Sequence, residues 1–428
     1  MGFVDTTELR ARFAHRLSVL YGAEVPAYNT LVEVSREVNE QVLAHDVADA
    51  QRLGSIGRVT EERHGAIRVG TARELAQVGQ IFAALGMHPV GFYDLRDAQP
   101  QPVPVVSTAF RPVDAGELAR NPFRVFTSML VTADRRFFTA DLEQRLEGFL
   151  AARQLFPDEL LELAARAEAE NGLSEDRADR FLELAAASFA LSTEPVDRAW
   201  YAELERISSV AADIGGVATV HINHLTPRVL DIDDLYRTMQ ARGIEMIDRI
   251  QGPPRWAGPD VLLRQTSFRA LAEPRLFREA DGTVTPGELR VRFGEVEQRG
   301  IALTPDGRRR YDELQAEVDR AAAGTDPRER PGIAADIWAA GFPNTEADLD
   351  EQGLGYFTTT PTGARRPIVY EDFLPRSAAG IFASNLSGET ELAAAQGQAP
   401  RDADWLSEAI GRRVHDPHEL YAKQAVAP

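Results

Sequence analysis

Arg63-His64-Gly65-Ala66-Ile67-Arg68-Val69 and Asn223-His224-Leu225-Thr226-Pro227-Arg228-Val229 share one form, His-x-x-x-Arg-Val. Each is followed by a helical stretch (Ala72 to Leu85; Ile232 to Arg242) and then by an apolar, strand-like run (Val90 to Tyr93; Ile244 to Ile250). A strand–helix–strand unit used twice, with a histidine near the start of each first strand, points to paired modules that present ligands to one shared centre.

Working outward, Val103 to Phe110 and Phe123 to Val131 are rich in β-branched and aromatic residues, so residues 55–132 read as one β-α-β-β-β module. Residues 211–305 read as the second, with strands near Val217 to His224, Ile244 to Ile250, Val261 to Ala270 and Leu289 to Ile301. Residues 1–54 have apolar positions at helical spacing, such as Leu9, Phe13, Leu17 and Leu20. Residues 133–210 have the Ala, Leu, Glu and Arg content of a helical insertion. Residues 306–428 open with a helix; 324–365 read as irregular cover, and 367–386 as a more structured piece. The expected fold is α+β: duplicated βαβββ modules forming a curved mixed sheet around a metal site, with a large helical insertion and a helical N-terminal segment.

With 428 residues, 44% hydrophobic and 26% charged, the chain has the balance of an ordinary globular protein. The formal net charge of -19 argues against nucleic acid as a partner. The absence of cysteine excludes disulfides, thiolate metal sites and cysteine nucleophiles. Met1 to Leu20 carries charges throughout and lacks the apolar core of a signal peptide, and no uninterrupted apolar run reaches membrane-spanning length. The expectation is a cytoplasmic protein with no membrane partner; its oligomeric state is left open.

Of the eight histidines, His15 and His45 fall on surface helices, His88 at a helix-to-strand connection, and His415 and His418 in a tail without a repeated partner. His64 and His224 occupy equivalent places in the two copies. His221 lies three positions before His224 and so points to the opposite face of an ideal strand, and the repeat alignment selects His224. A catalytic metal held by two imidazoles wants a hard, anionic third ligand. Glu295 and Glu297 supply candidates on one face of a strand, and spacing alone does not choose between them. Two histidines and a carboxylate make the facial triad of non-haem Fe(II) oxygenases, with positions left for a 2-oxo acid and O2. Arg68, four residues after His64, faces the same side and can grip a substrate carboxylate through two parallel bonds; the competing reading is an ion pair within the protein. Arg228, its counterpart, follows Pro227 and reads as structural.

The paired modules with one histidine each resemble the vicinal oxygen chelate superfamily. Phe293-Gly-Glu295-Val-Glu-Gln298-Arg299 is similar to the Phe-x-Glu-x-x-Gln-Arg strand of 4-hydroxyphenylpyruvate dioxygenases, where the glutamate is the iron ligand. The chain more closely resembles the 2-oxoadipate dioxygenase/decarboxylase (2-hydroxyglutarate synthase) family. That resemblance is carried by Arg63 to Arg68, His221 to Arg228, Phe293 to Thr304 and Tyr370 to Phe382.

The resemblance implies His64, His224 and Glu295 as metal ligands, Fe(II) as the metal with another divalent ion able to stand in its place, and His64, Arg68 and His224 in contact with substrate. It also implies that a loop from Phe373 to Ala378 closes over the substrate, with Arg376 and Ser377 touching it. The implied reaction takes 2-oxoadipate and O2 to 2-hydroxyglutarate and CO2 in lysine breakdown, with Arg68 as the residue that positions substrate for catalysis. The alternatives are a glyoxalase-like lyase or isomerase that uses no O2, and a non-catalytic small-molecule-binding protein of the same fold.

Overall fold

Along the opening motif, residues alternate between two environments, and the fold shows why both are needed. The computed structural model describes residues 2–45, 53–98, 102–290, 292–374 and 401–426. In chain order its strands are β1 (Phe3–Asp5), β2 (Arg63–Val69), β3 (His88–Asp94), β4 (Val105–Arg111), β5 (Arg124–Leu130), β6 (Gly172–Ser174), β7 (Val196–Asp197), β8 (His224–Pro227), β9 (Leu263–Ser267), β10 (Glu273–Arg278), β11 (Val284–Leu289), β12 (Glu295–Arg299), β13 (Phe357–Thr359) and β14 (Arg365–Pro367). The largest sheet has the order β3-β4-β5-β2-β8. It is mixed: β2 runs parallel to β5 and antiparallel to β8. β12 pairs antiparallel with β9, and a bridge between Arg228 and Glu297 connects the end of β8 to β12.

Successive side chains on a strand point to opposite faces, so each strand contributes to two cores. Ile67 and Val69 of β2, Val106 and Phe110 of β4, and Val125 and Met129 of β5 pack with Phe13, Leu75, Leu160 and Phe181. Those four come from the helices Thr6–Glu24, Ala72–Ala83, Asp158–Glu170 and Glu175–Ser188. Ala66, Ala109 and Phe126 face the other way, toward Phe293, Leu303, Tyr370 and Phe373. His64, Arg68 and Arg124 share the parity of Ala66 and Phe126, so this second face carries the polar centre. The helix Ala72–Ala83 starts directly after β2 because Thr71 and Glu74 form a reciprocal capping box.

In chain order β2, the helix Ala72–Ala83, β3, β4, the short helix Ala115–Arg120 and β5 follow one another. Several expectations are corrected. The strand expected over 217–224 begins only at His224, because the Ile222 N–H donates to Phe189 O at 2.9 Å, outside the sheet. The run 244–250 forms no continuous strand: its backbone is bridged at Met246, and the next residue, Gln251, is bridged to Gln265. The expected strand 289–301 is split: Leu289 ends β11, which pairs with β10, and the chain then crosses to pair β12 with β9.

Residues 324–365 are not irregular. They hold the helices Arg330–Gly341 and Glu346–Glu351 and the strand β13, which pairs with β14. Pro331 sits in the first turn of the former, where its missing N–H costs nothing. Its Trp338 is fully buried against Trp256, Tyr311 and Phe342. The N-terminal segment and the insertion are joined, because β1 pairs with β6. Among the described residues no helix is long and apolar enough to cross a membrane.

Candidate metal centre

Antiparallel register places the two histidines side by side. His64 pairs with Thr226 and Ala66 with His224, so His64 and His224 lie diagonally across β2 and β8 on one face. Their rings are 5.5 Å apart and nearly perpendicular. Glu295, at the start of β12, reaches both: its two carboxylate oxygens lie 3.4 Å from His64 Nε2 and 3.5 Å from His224 Nε2. All three side chains are buried, and one ligand atom from each falls within 4.8 Å of the others.

These separations are too long for good hydrogen bonds. They are close to what donors about 2.1 Å from a common cation require, roughly 3.0–3.4 Å between neighbours. The donor set, two neutral-capable imidazoles and a carboxylate, suits a divalent transition metal. Among the described residues this is the one such group of three. His415 and His418 form no such group; His418 instead lies beside Tyr356.

Glu295 and Glu297 stand in different places around His64. Glu295 faces both Nε2 atoms, whereas Glu297 Oε2 sits 2.8 Å from His64 Nδ1, behind the ring. A carboxylate at the far nitrogen fixes the tautomer and orientation of a ligating imidazole. His224 Nδ1 has Thr226 Oγ1 at 3.1 Å in the corresponding place. Phe373 stands edge-on to His64 at 4.9 Å, and Phe293 stacks on His224 at 5.3 Å, so aromatic walls shield the centre. Gly294 allows this approach: a Cβ there would lie 1.8 Å from Phe268 Cε1.

Without a cation the three groups titrate against one another. Burial raises the Glu295 pKa, only partly offset by His64. Burial lowers His224 well below its ordinary value, and the neighbouring His64 and Arg68 charges add to this. Burial would lower His64 too, but the Glu297 and Glu295 carboxylates outweigh it and raise the value. Burial disfavours the Glu297 charge, yet Arg299 and His64 bring its pKa down to about 2.

Arg68 points its guanidinium at Asp213, which is buried and also accepts from Asn223 Nδ2 at 2.8 Å. His221 Nε2 lies 3.3 Å from the same carboxylate, and burial holds its pKa down to about 4. The ion pair weighed for Arg68 is therefore present, and His221 belongs to that cluster rather than to the triad. Arg228 is structural: its Nη1 donates to Glu62 at 2.9 Å and its Nη2 to Leu53 O at 3.0 Å. Arg376 and Ser377 lie outside the described residues.

A buried ionic lattice behind the triad was missed in the sequence. Glu62 takes Arg124 Nη1 at 2.8 Å and Arg228, with Arg58 and Arg299 each at 3.5 Å. Glu371 is paired with Arg58 and Arg124. Arg299 grips Glu297 through two bonds of 2.7 and 2.9 Å. Burial alone would raise the pKa of Glu62; Arg228, Arg124 and Arg58 hold it well below the carboxylate range. The available signal was Arg124 opening the otherwise uncharged strand Arg-Val-Phe-Thr-Ser-Met-Leu, since a charge in a buried strand needs a partner.

Fold and site together define a protein with a mixed α+β sheet and a buried centre of two histidines and one carboxylate. The family model for 2-oxoadipate dioxygenase/decarboxylase matches residues 13–385. A 2-oxoadipate dioxygenase/decarboxylase of Mycobacterium bovis is 60% identical over 418 residues, covering 98% of this chain and 96% of the relative. One from Pseudomonas putida is 42% identical over 453 residues, covering 98% and 95%. The crystal structure of the hydroxyglutarate synthase from Pseudomonas putida in complex with 2-oxoadipate superposes with a TM-score of 0.84 at 38% identity, covering 99% of this chain and 96% of that one. The chain belongs to the 2-oxoadipate dioxygenase/decarboxylase family. A glyoxalase superfamily protein from Ralstonia eutropha, with a TM-score of 0.50 at 19% identity over 70% of this chain and 85% of that one, shares the fold alone.

Proposed function

We propose that the protein is a non-haem Fe(II)-dependent enzyme that converts 2-oxoadipate and O2 to 2-hydroxyglutarate and CO2, a step of lysine breakdown in the cytoplasm. The observation that carries this reading is the convergence of His64, His224 and Glu295 at one buried point in a chain of this family. The second module is read as β8, the helix Ile232–Ala241, the 246–251 run, β9 and β12, so that each copy contributes one histidine and the later copy adds the carboxylate.

Bound Fe(II) would supply Lewis acidity toward the 2-oxo acid and the ability to activate O2. The chain's own residues do the rest. Glu297 and Thr226 aim the two imidazoles. Phe373 and Phe293 exclude water from the reacting end of the substrate. Arg68 holds the distal carboxylate, and Asp213, fixed by Asn223, keeps its guanidinium in place before substrate arrives. His64 and His224 line the bound 2-oxo acid.

The reaction balances with no reactant besides the 2-oxo diacid and O2. The bond between the keto carbon and its carboxylate breaks, and that carboxylate carbon leaves as CO2. One oxygen atom of O2 completes the new carboxylate, and the other becomes the hydroxyl of the shortened diacid. The test is aerobic incubation of Fe(II)-loaded protein with a panel of 2-oxo diacids, recording O2 uptake and product masses. One O2 consumed per 2-hydroxyglutarate formed is expected with 2-oxoadipate. Absence of O2 uptake would favour a glyoxalase-like lyase or isomerase on the same fold.

A further inference from the structure

The guanidinium of Arg299 touches both the carboxylate behind His64 and the backbone of the 370–373 segment. On one side it holds Glu297 through Nε and Nη2, and Glu297 in turn faces His64 Nδ1 at 2.8 Å. On the other side Nη1 donates to the backbone carbonyls of Tyr370 at 2.8 Å and Asp372 at 3.0 Å. Its cationic plane also lies over the Phe373 ring, 5.5 Å from the centroid, and that ring meets His64 edge-on at 4.9 Å. The contacts close a loop: His64, Glu297, Arg299, the 370–373 backbone, the Phe373 ring, and back to His64.

Resting on the metal reading above, we propose that Arg299 is a positioning residue that couples the setting of His64 to the seating of the 370–374 segment. A guanidinium can serve both sides because its donors are rigidly splayed: two parallel N–H groups match a carboxylate while another points away to carbonyls. An ammonium is a single point and serves one side at a time. A cation at the triad fixes the His64 ring, which fixes Glu297, Arg299 and the two carbonyls in turn. By linkage, seating the segment strengthens the metal site by the same factor. A purely stabilising ion pair would lower the melting temperature when broken, but it would leave metal affinity and metal-dependent protection unchanged.

The test uses the full chain under anaerobic conditions with Mn(II) alone. Mn(II) affinity is read by electron paramagnetic resonance, and amide exchange over 366–374 is read by mass spectrometry with and without Mn(II). In wild type, Mn(II) is expected to slow exchange in this segment about tenfold, including at the Glu371 amide, which donates to Tyr421 OH at 2.7 Å. Arg299→Lys is expected to weaken Mn(II) binding by about tenfold or more and to abolish the Mn(II)-dependent slowing.

Glu297→Gln cuts the link at its middle while leaving Arg299 on the carbonyls. It should lose the Mn(II)-dependent slowing but keep basal protection, and it serves if Arg299→Lys fails to fold. Mn(II) affinity within twofold of wild type in Arg299→Lys, or undiminished slowing in either variant, overturns the coupling while the metal reading stands. Failure of wild type to bind Mn(II) overturns the metal reading and the coupling with it.

Discussion

Glu62→Gln removes the charge at the centre of the lattice behind the triad, and its cost follows from the surroundings. Glu62 is fully buried, with Arg124 Nη1 at 2.8 Å, Arg228 Nη1 at 2.9 Å, and Arg58 and Arg299 each at 3.5 Å. Neutralised, it leaves these four guanidiniums facing, among the described residues, the carboxylates of Glu297 and Glu371. At an effective dielectric constant near 20, one pair of charges about 4 Å apart attracts by roughly 4 kcal/mol. Much of that offsets the desolvation of the charges, so the loss on removing one partner is about 3–5 kcal/mol. Such a loss is a large share of the roughly 5–15 kcal/mol that stabilises a typical domain.

Urea unfolding followed by circular dichroism should show the midpoint fall with no change in slope. Replacing an opposite pair together, Glu62→Leu with Arg228→Met, should cost less than the single change, because the lattice keeps its wild-type net charge. A loss below about 1 kcal/mol for Glu62→Gln would refute the reasoning and mean that water reaches the lattice.

Arg68→Lys should cut kcat/KM for 2-oxoadipate by about 10–100-fold, since an ammonium cannot reproduce the two-bonded grip on a carboxylate; wild-type kinetics would remove Arg68 from the substrate. Gly294→Ala should lower both stability and metal content, because its Cβ would fall 1.8 Å from Phe268 Cε1 beside Glu295; metal stoichiometry of the purified variant checks this. Acid should destabilise the fold in a defined window. Glu297 and Glu371 are each held down to about 2 against burial, by Arg299 and His64 for the former and by Arg58 and Arg124 for the latter. Depressed carboxylates contribute stability that is fully present above their unfolded value of about 4.3 and is lost as pH falls through the folded value. Unfolding free energy should therefore drop steeply between about pH 5 and pH 2. A flat profile over that window would mean that these groups are not ionised in the fold.

The sequence made the histidines legible because a repeated His-x-x-x-Arg-Val phrase at the head of two strand-forming runs is a positional signal. The carboxylate was less so: Glu295 and Glu297 have the same parity, and only the approach of β12 to β8 gives them separate tasks. The helical stretch expected after β2, Ala72 to Leu85, is found as Ala72–Ala83. The strand over 217–224 was not, because an extended apolar run looks the same whether it pairs in a sheet or bonds to Phe189 O. The cover over 330–351 was misread because its Gly and Pro content hides a helix anchored by one buried tryptophan, Trp338.

The ionic lattice was the hardest part to foresee. Arg58 and Glu62 lie one helical turn apart, but Arg124, Arg228, Arg299 and Glu371 come from remote stretches. Likewise the Asp213 partner of Arg68 lies 145 residues away, in the helix Ser209–Gly215 where the expected insertion meets the expected second module.

The most direct test of the central claim is anomalous diffraction from crystals of the Mn(II)-loaded protein, collected on both sides of the manganese absorption edge. One strong peak is expected about 2.0–2.3 Å from His64 Nε2, His224 Nε2 and a carboxylate oxygen of Glu295. A peak elsewhere, or none at full Mn(II) loading, would contradict it.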